Sequence, residues 1–172
     1  ISRLIALELS LVVLTTVPAL FATDYLGILS TQEGKIPEGY TLVDVPLDIR
    51  ARAEKGDAGA QVEVGVAYLE GTNSVAKDPA EAVKWFRKAA EQGDIRAQVA
   101  LGFRYGLGDG VLKDSAEAAK WFRKAAEQGE VSSQYLLGFA YLVGEGVTRD
   151  PVEAAKWFRK AAEQGNAAAQ FE

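Results

Sequence analysis

The chain has 172 residues, 48% of them hydrophobic and 25% charged, with a net charge of −5 and no His, Cys or Met. That balance belongs to a folded protein, and the acidic surplus without a basic cluster argues against nucleic acid as a partner. Lack of His and Cys removes the commonest general base, the thiolate nucleophile and the usual zinc ligands, so no cofactor, metal or catalytic residue is expected, and only a carboxylate-based enzyme or an Mg²⁺ site stays open.

Residues 4–22, LIALELSLVVLTTVPALFA, carry a single charge, Glu8. As a helix they would extend roughly 29 Å, about the hydrocarbon thickness of a bilayer, so residues 1–22 are expected to form a single transmembrane anchor. Val17-Pro18-Ala19 resembles a cleavage site, but Pro18 and the apolar Leu20-Phe21 after it favour an uncleaved anchor. Arg3 ahead of the span places the N-terminus in the cytoplasm and the remainder beyond a bacterial inner membrane, in the periplasm. Glu8, one turn into the span, is a candidate contact for a neighbouring membrane subunit.

Residues 23–46 read as a linker, broken by Gly27, Gly34, Pro37, Gly39 and Pro46, with strand character confined to YTLVDV at 40–45. Residues 47–56 end as a helix would and are expected to form an N-terminal cap on the rest of the chain.

KWFRKAAEQG occurs three times, from Lys84, Lys120 and Lys156, at a period of 36 residues. A fixed period of that size marks stacked copies of one supersecondary unit. The units run about 57–93, 94–129 and 130–165, with a partial unit at 166–172. A solenoid needs a polar cap, so either further chain or a partner is expected to cover the C-terminal end.

Each unit contains two helix patterns. The second opens on Asp78, Asp114 or Asp150 as N-cap, with Glu81, Glu117 or Glu153 completing a capping box, and stops at Gly93, Gly129 or Gly165. Ala82, Trp85, Phe86, Ala89 and Ala90 form its apolar face, and Arg87–Glu91 is expected to be an ion pair on the outer face. First helices are marked by Ala60-Gln61, Ala97-Gln98, Ser133-Gln134 and Ala169-Gln170. Within them Gly65, Gly102 and Gly138 predict a close helix crossing that leaves no room for a side chain. Gly108-Asp109-Gly110 and Gly144-Glu145-Gly146 read as interhelical turns, with no strand before them and no Lys-Ser/Thr after them to make a phosphate cradle. Val75, Val111 and Val147 are expected to fill the gap between units.

The blocks Leu-Gly-x-x-Tyr, Gly-x-Gly-Val, Asp-Pro-x-x-Ala and Trp-Phe-x-Lys-Ala-Ala-x-x-Gly, recurring in register over about residues 57–172, resemble the Sel1-like repeat family, relatives of tetratricopeptide repeats. The first unit departs from the pattern, with Gly71-Thr72-Asn73-Ser74 in place of Gly-x-Gly. The resemblance implies an all-α, right-handed α-solenoid of helix-turn-helix repeats that serves as an adaptor, and it carries no catalytic residues.

Positions that differ between units are free to specify a partner: Val62/Val99/Tyr135, Val66/Phe103/Phe139 and Ala67/Arg104/Ala140. Phe103 and Phe139 lie off the Leu101–Tyr105 face, either packed on the neighbouring helix or projecting into a concave groove. The expected function is that of a non-catalytic, membrane-anchored scaffold, an accessory or assembly subunit whose partners are integral membrane subunits. Val99, Phe103, Arg104, Tyr135, Phe139 and Glu8 are the candidate contacts. The alternatives are a secreted regulator released by signal cleavage, and a hydrolase working through paired carboxylates.

Overall fold

The computed structural model describes residues 47–72 and 75–165. The expected span at 4–22 with Glu8, the linker at 23–46 with its segment 40–45, and the partial unit 166–172 lie outside the described residues. Seven helices and no strand are found among the described residues. They are α1 (Leu47–Glu54), α2 (Ala58–Glu70), α3 (Pro79–Glu91), α4 (Ile95–Leu107), α5 (Ser115–Glu127), α6 (Val131–Val143) and α7 (Pro151–Glu163). Each packs on the next in chain order, so α2/α3, α4/α5 and α6/α7 are the three repeats of an all-α solenoid, with α1 against α2. Among these residues no helix is long and apolar enough to cross a membrane.

Local chemistry sets the helix ends. Asp78, Asp114 and Asp150 each accept from the Glu N–H three residues on, at 3.0 Å. The expected capping box is only half built. The N-cap N–H groups donate instead to the carbonyls of Tyr68, Tyr105 and Tyr141 at 2.7, 2.9 and 2.9 Å, tying the two helices of a repeat together. Glu81, Glu117 and Glu153 are thereby released and accept from Lys84, Lys120 and Lys156 at 2.7–2.8 Å. At the other end Gly93, Gly129 and Gly165 adopt φ of 94°, 93° and 87°, and Asp94 and Glu130 donate back to Ala89 and Ala125, closing Schellman turns. Thr72 donates to the Val75 carbonyl at 2.7 Å, and Asp78 still reaches Tyr68.

The paired aromatics divide the packing between them. Phe fills the notch of its own repeat: a Cβ on Gly65, Gly102 or Gly138 would lie 2.7, 2.5 or 2.8 Å from the ring of Phe86, Phe122 or Phe158. The crossing expected from those glycines is therefore real, and its partner is the phenylalanine. Trp reaches into the preceding repeat. Trp85 packs with Ala53 of α1 and with Ala60 and Val64 of α2, and Trp157 with Ala126 of α5 and Leu137 of α6. Each indole N–H is buried without an acceptor, a cost of about 1–3 kcal/mol. Burying an aromatic of about 200 Å² yields about 5 kcal/mol, so the ring wins.

Candidate partner-binding surface

Two sets of polar contacts recur with the repeat and are made within the fold. Gln61, Gln98 and Gln134 are buried, and each donates to a carbonyl in the preceding helix (Ala53, Ala90 or Ala126, at 3.1, 3.3 and 3.1 Å). Each also accepts from the glutamine ending the following second helix, Gln92, Gln128 or Gln164, at 2.8 Å. The same bonds recur in every repeat and tie each first helix to the helices on either side of it. Recurrence of a polar residue inside a helix was the available signal, and a count of apolar spacing passes over it.

The expected Arg87–Glu91 ion pair does not form. Arg87 donates to the Tyr105 hydroxyl of the next repeat, and Arg123 does the same to Tyr141. The ring and hydroxyl together offer a better site than a solvated carboxylate, because the guanidinium also stacks near the ring at 6.0 and 5.6 Å. Lys88, Lys124 and Lys160 lie 3.9–4.0 Å over the Trp rings of their own helices. The invariant block is thus occupied within the fold.

Sequence-selected contacts separate into three groups. Val99 is 4% exposed and Val62 2%, so Val99 is core and unable to meet a partner, because its helix turns that position toward the neighbouring helices. Arg104 is largely covered and ion-paired with Asp109 in the loop after its helix, so it is committed to its own repeat. Phe103, Tyr135 and Phe139 are half-buried. Phe103 sets its edge on Phe122 (5.2 Å, 81°), Tyr135 tilts on Phe158 (5.5 Å), and Phe139 packs against the Ala154–Phe158–Ala161 cluster. These rings brace their own repeat and leave one flank open. Val75, Val111 and Val147 are half-buried in the loops. Glycine makes a close contact between repeats: Gly110 and Gly146 lie against the backbone of Pro79 and Ser115, with no room for a Cβ.

The face of the first helices that remains open was missed. Positions spaced i, i+4, i+7 and i+11 place Glu63, Val66 and Glu70 on one side of α2, and Phe103 and Leu107 on the same side of α4. Leu136, Phe139 and Val143 occupy that side of α6. Leu107 and Val143 stand at equivalent positions and are 45% and 48% exposed, large apolar side chains with nothing over them among the described residues.

At the α2 end Glu63 has its carboxyl held above the ordinary range, first by desolvation, with Arg52 and Arg96 opposing. Arg52 and Arg96 are each already bound to an aspartate, Asp57 and Asp94, at 2.8 Å. A raised carboxyl pKa penalises the folded state above that pKa, and the penalty disappears as pH falls below the unfolded value of about 4.3. Glu63→Gln is therefore expected to raise the unfolding free energy from urea titration at pH 7 by a few tenths of a kcal/mol, screening by solvent keeping it small, with no gain at pH 3. A destabilised variant at pH 7 would refute the assignment.

Three consecutive stretches, residues 58–94, 95–130 and 131–166, match the Sel1 repeat family, together more than half of the chain. A Sel1 repeat protein of Oxalobacter formigenes superposes with a TM-score of 0.66 at 42% identity, over 72% of this chain and 92% of that one. A protective antigen of uropathogenic Escherichia coli with an SLR fold gives 0.68 at 47%, over 73% of this chain and 27% of that one. Among curated proteins of Arabidopsis thaliana, an ERAD-associated E3 ubiquitin-protein ligase component is 30% identical over 84 residues, 49% of this chain. An F-box protein is 44% identical over 52 residues, 30% of this chain. The matches span only 12% and 14% of those two proteins. Sel1 repeat proteins are generally non-catalytic and bind protein partners. With the motifs in register, the helix pairs built as the motifs require and the family matched three times over, the chain belongs to the Sel1 repeat family.

Proposed function

We propose that this chain is a non-catalytic adaptor that holds a protein partner along the open side of α2, α4 and α6. The observation that carries the reading is the pair Leu107 and Val143, exposed at equivalent positions while the invariant block is consumed by the fold. Apolar side chains recurring on one solenoid face suit the uptake of a partner segment, whose binding energy concentrates on a few such anchors. A relative that is named as a component of a larger ligase assembly is in keeping with an accessory role. The apolar stretch at 4–22 supports a further element of the proposal: the adaptor is a single-pass protein of a bacterial inner membrane, its repeats in the periplasm, serving an integral membrane complex.

Leu107→Ser and Val143→Ser together are expected to reduce the partner recovered with the full chain from mild-detergent extracts by about tenfold, as hot-spot truncation does. Helical circular dichroism should stay unchanged, because both side chains are exposed. Undiminished recovery would overturn the surface assignment. N-terminal sequencing of the membrane-extracted chain tests the anchor, since a mature start near Leu20 would remove it.

A further inference from the structure

The open side of the first helices is not uniform along the solenoid. On α2 it carries Glu63 and Glu70, both exposed and neither in an ion pair among the described residues. On α4 the place equivalent to Glu70 is taken by Leu107, and on α6 the same side presents Leu136, Phe139 and Val143. The surface thus passes from two carboxylates to a wholly apolar patch across three successive first helices. Each first helix is tied in the same way to the helices on either side of it, so these equivalent positions follow one another along one side of the repeats as a track.

Resting on the reading of that track as the binding surface, we propose that its occupant is a segment of another protein that is cationic at one end and apolar at the other. Its Lys/Arg end lies on α2 and its apolar end on α6. Charge complementarity carries the assignment. The cations nearest Glu63, Arg52 and Arg96, are each engaged with an aspartate, so a partner's ammonium or guanidinium would meet a carboxylate that is unpaired among the described residues and already partly stripped of water. Helices pack on the order of 10 Å apart, so three first helices span roughly 20 Å, about 13 residues of a helical partner.

The test uses the full chain in neutral phosphatidylcholine nanodiscs, with empty nanodiscs as reference. The probes are three synthetic 18-residue peptides sharing a Leu/Ala half, the other half bearing three Lys, three Gln or three Glu. The Lys peptide is expected to bind tightest, its Kd rising about tenfold between low and high salt. Glu63→Gln with Glu70→Gln should raise its Kd about fivefold and leave the Gln peptide unchanged. Val143→Ser should weaken the Lys and Gln peptides alike. A benzophenone at the Lys end should cross-link to α2, and one at the apolar end to α6.

Equal binding of the Lys and Gln peptides overturns the charge assignment, while a loss with Val143→Ser leaves the surface reading standing. Peptide binding that neither set of substitutions alters overturns the surface reading itself, and no binding by any peptide overturns both. A concentration-dependent dimer of the chain that Val143→Ser abolishes would replace the foreign segment by a second copy.

Discussion

Gly146→Ala is expected to cost about 4 kcal/mol, measured as a fall in the urea midpoint. The glycine has φ of 72°, a left-handed conformation that costs a side-chain-bearing residue about 1–2 kcal/mol. The larger part is steric. A Cβ there would lie 2.0 Å from the Ser115 carbonyl oxygen and 2.4 Å from its carbon, backbone atoms of the N-terminal turn of α5. No rotamer change relieves that clash, so the loop after α6 has to lift from α5, and overpacking of this kind costs about 1–3 kcal/mol. Gly129→Ala is the control, having φ of 93° but nothing within 4 Å of its Cβ, so it should lose only the backbone share. Equal losses for the two would show that the loop is not a repeat-to-repeat contact. Weakening one interface in a solenoid also uncouples its neighbours, so the Gly146 variant should unfold over a broader range of urea.

The buried glutamine gives the second large effect. Gln98→Ala removes a donor to the Ala90 carbonyl, which keeps the Gly93 N–H at 3.1 Å, removes an acceptor for Gln128, and opens a cavity between repeats. At about 1 kcal/mol for each of the two lost hydrogen bonds, together with the lost packing, the expected cost is about 3 kcal/mol. Gln128→Ala removes the same side-chain bond from its exposed end and should cost about 1 kcal/mol. A double-mutant cycle should return a coupling of about 1 kcal/mol between them. A Gln98→Ala cost no greater than that of Gln128→Ala would mean that these bonds do not tie the repeats together.

What the sequence made legible was whatever repeats locally. The period placed the units within one residue of the family matches, the Asp–Glu spacing placed the second-helix starts, and Gly65, Gly102 and Gly138 announced a crossing. What escaped it were contacts between residues far apart in the chain. Arg87 has Glu91 at i+4 but bonds Tyr105, 18 residues on, because stacking the next repeat brings the tyrosine hydroxyl closer than solvent allows the carboxylate to be. Val99 differs from Tyr135 and so read as variable surface. It is core, because variation between repeats tracks how large a gap each position must fill as well as exposure. Arg104, which has alanine as its equivalent in the other repeats, is likewise committed to its own repeat through Asp109. Exposure decided which varied positions face outward, and it moved the candidate surface from Val99 and Arg104 to Leu107, Leu136 and Val143.

The central claim is that the partner meets the varied first helices and not the invariant second ones. Site-specific photo-cross-linking tests it most directly, with a benzophenone side chain placed at Leu136 of α6 or at Lys156 of α7 in the full chain in cells. The account predicts a discrete adduct with a protein partner from Leu136 and none from Lys156. An adduct from Lys156 with none from Leu136 would contradict it.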